Sequence, residues 1–185
     1  MVFAHDVEGA LTATAVLVNT LPELSPTGED ELVTIEHLDE FLLVHRYTGS
    51  RENSEAELEA VRSVRAPLRS LWLSGAEEDF VAVVNGMLED GRALPQLVRH
   101  GVFGWHLHAT RDENPLATRI VVEAAMAFVD VIRGDERDRV RICAGDDCGA
   151  VLVDFSRNRS KRYCDTGNCG NRANVAAYRA RRATA

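Results

Sequence analysis

Apolar side chains recur every three to four residues through most of the first 132 positions, a period that predicts helices. Leu11, Ala15, Val18 and Leu21 mark one face of a helix over residues 8–21, stopped by Pro22. Thr34 reads as the N-cap of a second helix reaching His45, with Leu38, Phe41 and Leu42 inward. Ser54-x-x-Glu57 has the capping-box pattern and opens a third helix to about Leu73, in which Leu58, Val61, Val64 or Arg65, Leu68 and Leu71 or Trp72 share a side and Pro67 predicts a kink or a boundary. Residues 77–89 form a fourth, with Phe80, Val81, Val84 and Leu88 inward and Gly91 as the stop. Asn114 and Pro115 supply an N-cap and a first-turn proline for the most apolar helix, 116–132. Its Ile120, Val121, Ala124, Ala127, Phe128 and Val131 are expected at the centre of the core.

Two stretches break the helical period. From Leu94 to Thr110 the pattern alternates with period two, through Leu97-Val98, Gly101 and Val102 to His108, and predicts a β-hairpin. Ala150 to Phe155 is β-prone, with Arg162-Tyr163 as the expected return strand, and residues 171–182 form an alanine-rich helix. There Ala173, Ala176, Ala177 and Ala180 share a narrow face expected to lie against that second hairpin.

The cysteines give the second half its chemistry. Cys143, Cys148, Cys164 and Cys169 are the only four in the chain and form two Cys-x4-Cys pairs separated by fifteen residues. A tetrahedral zinc ion takes two ligands from each of two tight turns, and this spacing lets each turn present both sulfurs to one metal. Gly, Asp and Asn fill both turns, and a glycine follows each second cysteine, where it lets backbone N–H groups turn toward sulfur. Disulfides are the alternative, but they suit secreted chains. Met1-Val-Phe-Ala-His-Asp lacks the basic segment and long apolar run of a secretion signal, and no run reaches the length of a membrane span. A reduced, cytoplasmic protein with one structural Zn2+ per chain is expected.

The fold class is therefore α+β: a mainly helical N-terminal domain with a short β-hairpin, residues 1–135, followed by a small treble-clef-like zinc module (knuckle, hairpin, knuckle, helix), residues 138–185. Charge follows the same division. Residues 1–132 hold 9 Arg against 22 acidic residues, whereas residues 133–185 hold 12 Lys and Arg against 7 acidic ones, so the net charge of −8 hides a basic C-terminal part. Beyond Phe155 eight basic residues face one acid, Asp165. Positive charge gathered on a metal-stapled module is the electrostatic footprint of a nucleic-acid contact. Arg157, Arg159, Lys161 and Arg162 in the loop are assigned to phosphates, and Arg172, Asn174, Arg179 and Arg182 on the last helix to base or groove contacts with DNA. The competing reading of these arginines is a solvated tail that offsets the charge of four thiolates. For Arg172 it is a hydrogen bond within the module.

Cys169-Gly170-Asn171-Arg172, at the end of the Cys-x4-Cys-x15-Cys-x4-Cys module, resembles the CGNR zinc-finger family, as do the flanking Arg159-Ser-Lys-Arg-Tyr-Cys164-Asp and Asn174-Val-Ala-Ala-Tyr178-Arg. The N-terminal part is similar to the ABATE domain that accompanies it, through Leu17-Val-Asn19-Thr20 and the run from Asn114-Pro-Leu-Ala to Val131. That family often shows Asp-Phe-Val-Asn-Thr where this chain has Val16-Leu17-Val18-Asn19-Thr20, so the acidic residue is missing. The resemblance implies a bacterial, stress-responsive transcription regulator with a DNA-binding finger and an N-terminal domain that senses a small ligand. The alternative is a protein- or RNA-interaction module with purely structural zinc. A homodimer is compatible with either.

Few other residues carry chemistry. His106 and His108 share one face of a predicted strand, without an evident third metal ligand. His5-Asp6 is a candidate acid–base pair. Asn19 is a candidate ligand contact through its amide, competing with a helix-capping role. There is no glycine-rich phosphate loop, Gly-x-Ser-x-Gly elbow or His-Glu-x-x-His, and the expectation is that the protein is not an enzyme.

Overall fold

The computed structural model describes residues 3–99 and 104–183. Six α-helices and two antiparallel two-stranded sheets occupy this range: α1 His5–Asn19, α2 Ile35–Val44, α3 Glu55–Leu73, α4 Glu77–Asp90, β1 Gln96–Arg99, β2 Trp105–His108, α5 Leu116–Arg133, β3 Val140–Ile142, β4 Val151–Val153 and α6 Cys169–Ala183. The α+β class is thus observed. No helix among the described residues is long and apolar enough to cross a membrane.

Local signals place most helix starts. The Thr34 hydroxyl accepts from the His37 N–H, and the Ser54 hydroxyl from that of Glu57. The Glu57 carboxylate, however, reaches past Ser54 to the N–H groups of Glu52 and Asn53, both at 3.0 Å, and to Arg51. It therefore pins the preceding loop instead of closing the capping box. α3 runs through Pro67 without a break, held by Leu68, Leu71 and Trp72, which are all buried. Pro115 sits at the N-cap of α5, one position earlier than expected. Gly91 ends α4 at an ordinary helical φ of −76°. Its missing side chain serves packing, since a Cβ there would lie 2.2 Å from Val122 Cγ2. Val122 is accordingly buried, whereas Val121, expected inward, is half-buried.

α5 is the central element and packs on α1, α3 and α4. Phe128 lies at its middle, edge-on to Trp72 of α3 (5.3 Å, 89°) and to Phe80 of α4 (5.6 Å, 75°). Such aromatic contacts add about 0.5–1.5 kcal/mol beyond area burial. Sheet β1–β2 pairs Leu97 with Leu107 and Val98 with His106. Its outer face exposes Leu97, Trp105 and Leu107, while His106 is buried. The expected hairpin residues Gly101, Val102 and Phe103 lie outside the described residues.

The second sheet departs from expectation. β4 pairs with β3, which precedes the first knuckle, in the register Val140↔Val153 and Ile142↔Val151. Arg162-Tyr163 forms no strand; the Arg162 carbonyl accepts instead from the Ala144 N–H at 2.8 Å. The first Cys-x4-Cys turn therefore sits at the tip of the hairpin. Val140, Val151 and Val153 belong to the same buried cluster as the N-terminal helices, so the module's sheet completes their core.

Ion pairs from Arg62, Arg65 and Arg69 tie the α1–α2 loop to α3, and the Arg65 pair is the most buried. Arg65, 3 % exposed, donates to both Asp30 oxygens at 2.8 and 2.7 Å and to the Thr20 carbonyl and hydroxyl at 3.2 and 2.9 Å. The Arg65 hydrogen bonds lead the effects that hold the Asp30 carboxyl down at about 2, against the opposing pull of burial. Because the folded value lies below the ordinary 3.8, the pair's stabilisation is complete above that pH and disappears as pH falls through about 2. Asp30→Asn leaves Arg65 buried without a counter-charge and is expected to cost about 2–4 kcal/mol at pH 7. Urea unfolding at pH 7 and pH 2 checks this. The gap to the parent protein should shrink at pH 2, and an equal gap at both would contradict the assignment.

Candidate metal centre and nucleic-acid interface

The hairpin tip and the start of α6 bring the four cysteines together. All four sulfurs lie within 4.8 Å of one another, with Cys148–Cys164 and Cys164–Cys169 both at 3.8 Å, and no disulfide links them. Four sulfurs about 2.3 Å from a central ion form a tetrahedron with edges of about 3.8 Å, so the spacing fits zinc. Among the described residues this is the one group of three or more metal-ligating side chains; His106 and His108 are not part of another.

Backbone donors serve the sulfurs, among them the N–H of Ala150, just after Gly149, toward Cys148 and that of Gly167 toward Cys164. Cys143 Sγ accepts from the N–H groups of Gly145 at 3.4 Å and of Cys164 at 3.2 Å. Gly149, after the second cysteine of the first turn, also serves packing, since a Cβ there would lie 3.0 Å from Leu24. Inside the turns, a Cβ at Gly145 would lie 2.9 Å from Cys169, and one at Gly167 3.1 Å from its sulfur. The left-handed positions fall to Asp147 (φ 59°) and Asn168 (φ 52°), residue types that tolerate it. Burial pushes the Cys148 thiol up to about 12, so a cation is needed to hold it as thiolate at neutral pH. Cys169 is the first residue of α6, where the positive end of the helix dipole favours a thiolate, and Arg172 Nη2 donates to its sulfur at 3.0 Å.

Asn19 is not free for a ligand. It is 6 % exposed, and its amide donates to the Val151 carbonyl and accepts from the Val151 N–H, both at 2.8 Å. It thus meets β4 in the manner of a neighbouring strand. Trp72 Nε1 donates to the Leu152 carbonyl at 2.9 Å. Leu152 itself packs with Ala150, Cys143, Cys164 and Cys169. β4 therefore gives one face to the helical core and the other to the thiolate cluster.

The basic residues fall into two groups. Arg157 and Arg162 are exposed, as are Asn174, Arg179 and Arg182, whose guanidinium lies 5.9 Å from the Tyr178 ring centre. Arg159 pairs with Glu136 at 3.0 Å and Asp138 at 3.6 Å, and Lys161 with Asp165 at 2.6 Å. These two, together with Arg172, are engaged within the protein, which competes with the nucleic-acid contacts read from the sequence. The alanine face of α6 is also not packed as expected. Ala173 is half-buried, but Ala176, Ala177 and Ala180 are exposed, because the hairpin meant to receive them is covered on both faces of β4.

Sequence reasoning missed Asp154, 0 % exposed, which orders the basic loop. It accepts from the N–H groups of Ser156 at 2.8 Å and Lys161 at 2.9 Å and pairs with Arg141 at 3.2 Å. Burial opposes ionisation there, yet these donors hold the carboxyl below its ordinary range. Buried Arg139 donates to the Asp154 and Ser156 carbonyls, both at 2.8 Å. The Asp-x-Ser turn is the sequence signal for this arrangement.

Fold and site together define a zinc-finger protein whose finger is packed onto a helical domain. Residues 139–182 match the CGNR zinc finger, and residues 13–135 match ABATE, described as "Putative stress-induced transcription regulator". The ABATE match spans more than half of the chain, which therefore belongs to that family. No curated protein gives a significant match.

Purified protein should carry one zinc per chain by elemental analysis, with Cys169→Ser reducing this below half. Arg172→Ala keeps the four thiolates and one zinc but should lose about 10–100-fold in affinity in a chelator competition. Unchanged affinity would show that the guanidinium contributes nothing to the cluster.

Proposed function

We propose that the protein is a zinc-dependent, DNA-binding transcription regulator whose N-terminal domain senses a small ligand or stress signal. The observation that carries the DNA-binding part is α6. It leaves the thiolate cluster as a helix of 15 residues with every described side chain from Asn174 to Arg182 exposed, and no acidic residue follows Asp165. At about 1.5 Å per residue it extends about 22 Å, enough to lie along a major groove about 12 Å wide. Arg172, Val175 and Arg179 share one side of the helix, with Asn171 and Arg182 flanking it. Arg157 and Arg162 extend the positive surface along the ordered loop.

In this reading zinc performs no chemistry. It fixes where α6 starts, at Cys169, and so the direction in which the helix points. Folding free energy of about 10–16 kcal/mol is available from a structural zinc site, enough to hold a module with so small an apolar cluster of its own. Arg179 and Arg182 are the helix residues assigned to the nucleic acid, with Arg157 and Arg162 on the phosphates. Arg172 orients the cluster and holds the first turn of the helix. The family description supports regulation of transcription, and the absence of a catalytic motif in the sequence fits a regulator.

With zinc bound, affinity for duplex DNA should fall with salt at a log–log slope of about −3 to −5, as expected for four to five neutralised phosphates. Arg179→Ala and Arg182→Ala should each weaken binding about 3–30-fold, and removing a guanidinium that neutralises a phosphate should make the slope shallower by about one. Fluorescence anisotropy between 50 and 300 mM salt measures both. Salt-insensitive binding, or preference for single-stranded RNA over duplex DNA, would contradict the proposal.

A further inference from the structure

A cavity of about 130 Å³ lies between α1, α5, β2 and the turn after α2, away from the zinc cluster. A hollow of about 150 Å³ in a protein core is enough to hold benzene. Val7, Ala10, Ala13, Met126 and Ala127 form its apolar wall, with the small residues of α1 leaving the room. Asp6 from α1, Glu123 and Asp130 from α5, and His45 and Tyr47 after α2 bring polar groups to it. Phe41 stacks with Tyr47 at 5.8 Å and lies 4.8 Å from the His45 ring, and so fixes both rings.

The half-buried Glu123 carboxylate makes no hydrogen bond or ion pair among the described residues, although it lines an apolar cavity. Burial pushes it up to about 7, with Arg119 pulling the other way and Asp112 adding to the rise. Arg119 does not neutralise it directly, because its guanidinium is spent on the carbonyls of Thr48, Ser50 and Asn114. Asp130 is also raised by burial, with Asp6 adding to the rise against Arg133. Burial lowers His45, which favours its neutral form. On β2, His106 Nδ1 lies 3.0 Å from the Gly104 carbonyl and Nε2 3.1 Å from His108 Nε2. The carbonyl can only accept, so His106 carries its proton on Nδ1 and, when neutral, accepts at Nε2 from His108. Three carboxylates and the imidazoles of His45, His106 and His108 thus face the cavity, with Arg46, an exposed residue, as the cation in the lining.

The geometry points to a binding site for a small organic cation, an amine or guanidine on an apolar or aromatic body of about eight heavy atoms, with Glu123 and Asp130 as its counter-charges. A metal ion fits less well, because His106, His108 and Glu123 form no group of three converging ligand atoms. An anion would add to three carboxylates. The inference rests on the sensing role proposed above and names the class of ligand sensed.

The test uses the full-length, zinc-loaded protein with three probes of nearly equal size: benzylamine, benzyl alcohol and benzoate, measured by calorimetry and thermal shift. Benzylamine should bind at least tenfold more tightly than the alcohol, with benzoate weakest, and Glu123→Gln and Asp130→Asn should each reduce amine affinity at least tenfold. A loss of fold is separated from a loss of binding because Glu123→Gln removes a destabilised charge. Its Tm at pH 8 should equal or exceed that of the parent protein, with zinc content unchanged. Benzoate or the alcohol binding as tightly as the amine would overturn the cationic class while leaving a ligand pocket. Binding of none of the three would remove the sensing role of this cavity. A second equivalent of Ni2+ bound per chain and lost in Glu123→Gln would replace the organic cation with a metal.

Discussion

The structure depends on β4 being buried on both faces, with β3 along one edge and the Asn19 amide on the other. Val151 and Val153 enter the core of the helices, Leu152 enters the thiolate cluster, and none of the three is more than 4 % exposed. A strand in that position has no access to water, so each of its backbone groups needs a protein partner. β3 supplies one edge. On the other, the Asn19 amide of α1 holds both peptide groups of Val151, while the Trp72 indole of α3 adds a donor to the Leu152 carbonyl. Removing the Asn19 side chain leaves the buried N–H and C=O of Val151 unpaired, at about 1–3 kcal/mol each.

This constraint explains the placement of the remaining parts. Because both faces of β4 are covered, the alanine stripe of α6 does not pack on the hairpin, and the first turn of the helix is anchored by Cys169 and Arg172. An exposed, basic helix anchored at one end to a rigid cluster suits insertion into a nucleic-acid groove. The same constraint links the two ends of α1. Its first half, through Asp6, Ala10 and Ala13, walls the cavity, and its last residue, Asn19, grips β4. A ligand that moved α1 by a fraction of an ångström would act on the hairpin carrying Cys143 and Cys148 with no linker between them.

Much of this was legible in the sequence. The Cys-x4-Cys pairs, the Thr34 and Ser54 caps and the apolar stripe of α5 all act through short-range spacing, which periodicity and turn chemistry record directly. What was missed depends on partners distant in sequence. Residues 140–142, a short run with an arginine at its centre, gave no sign of pairing with β4, and Arg162-Tyr163 was the more obvious strand. Asn19 lies 132 residues from Val151, so its amide read as a cap or a ligand contact. The alanine face of α6 has helical spacing whether or not a partner covers it. The cavity is assembled from four elements, and Glu123, one of its three carboxylates, is one glutamate among many until the fold surrounds it.

Through β4 the zinc finger and the helical domain form one cooperative body. Hydrogen exchange at single-amide resolution, with zinc bound and after chelation, tests it most directly. Loss of zinc should accelerate exchange at Val151 and Val153 and raise it in parallel in α1 around Val18 and in α3 around Leu71. Collapse of protection in residues 140–170 with α1 and α3 unchanged would contradict it, and would make the finger a separate unit tethered to the domain.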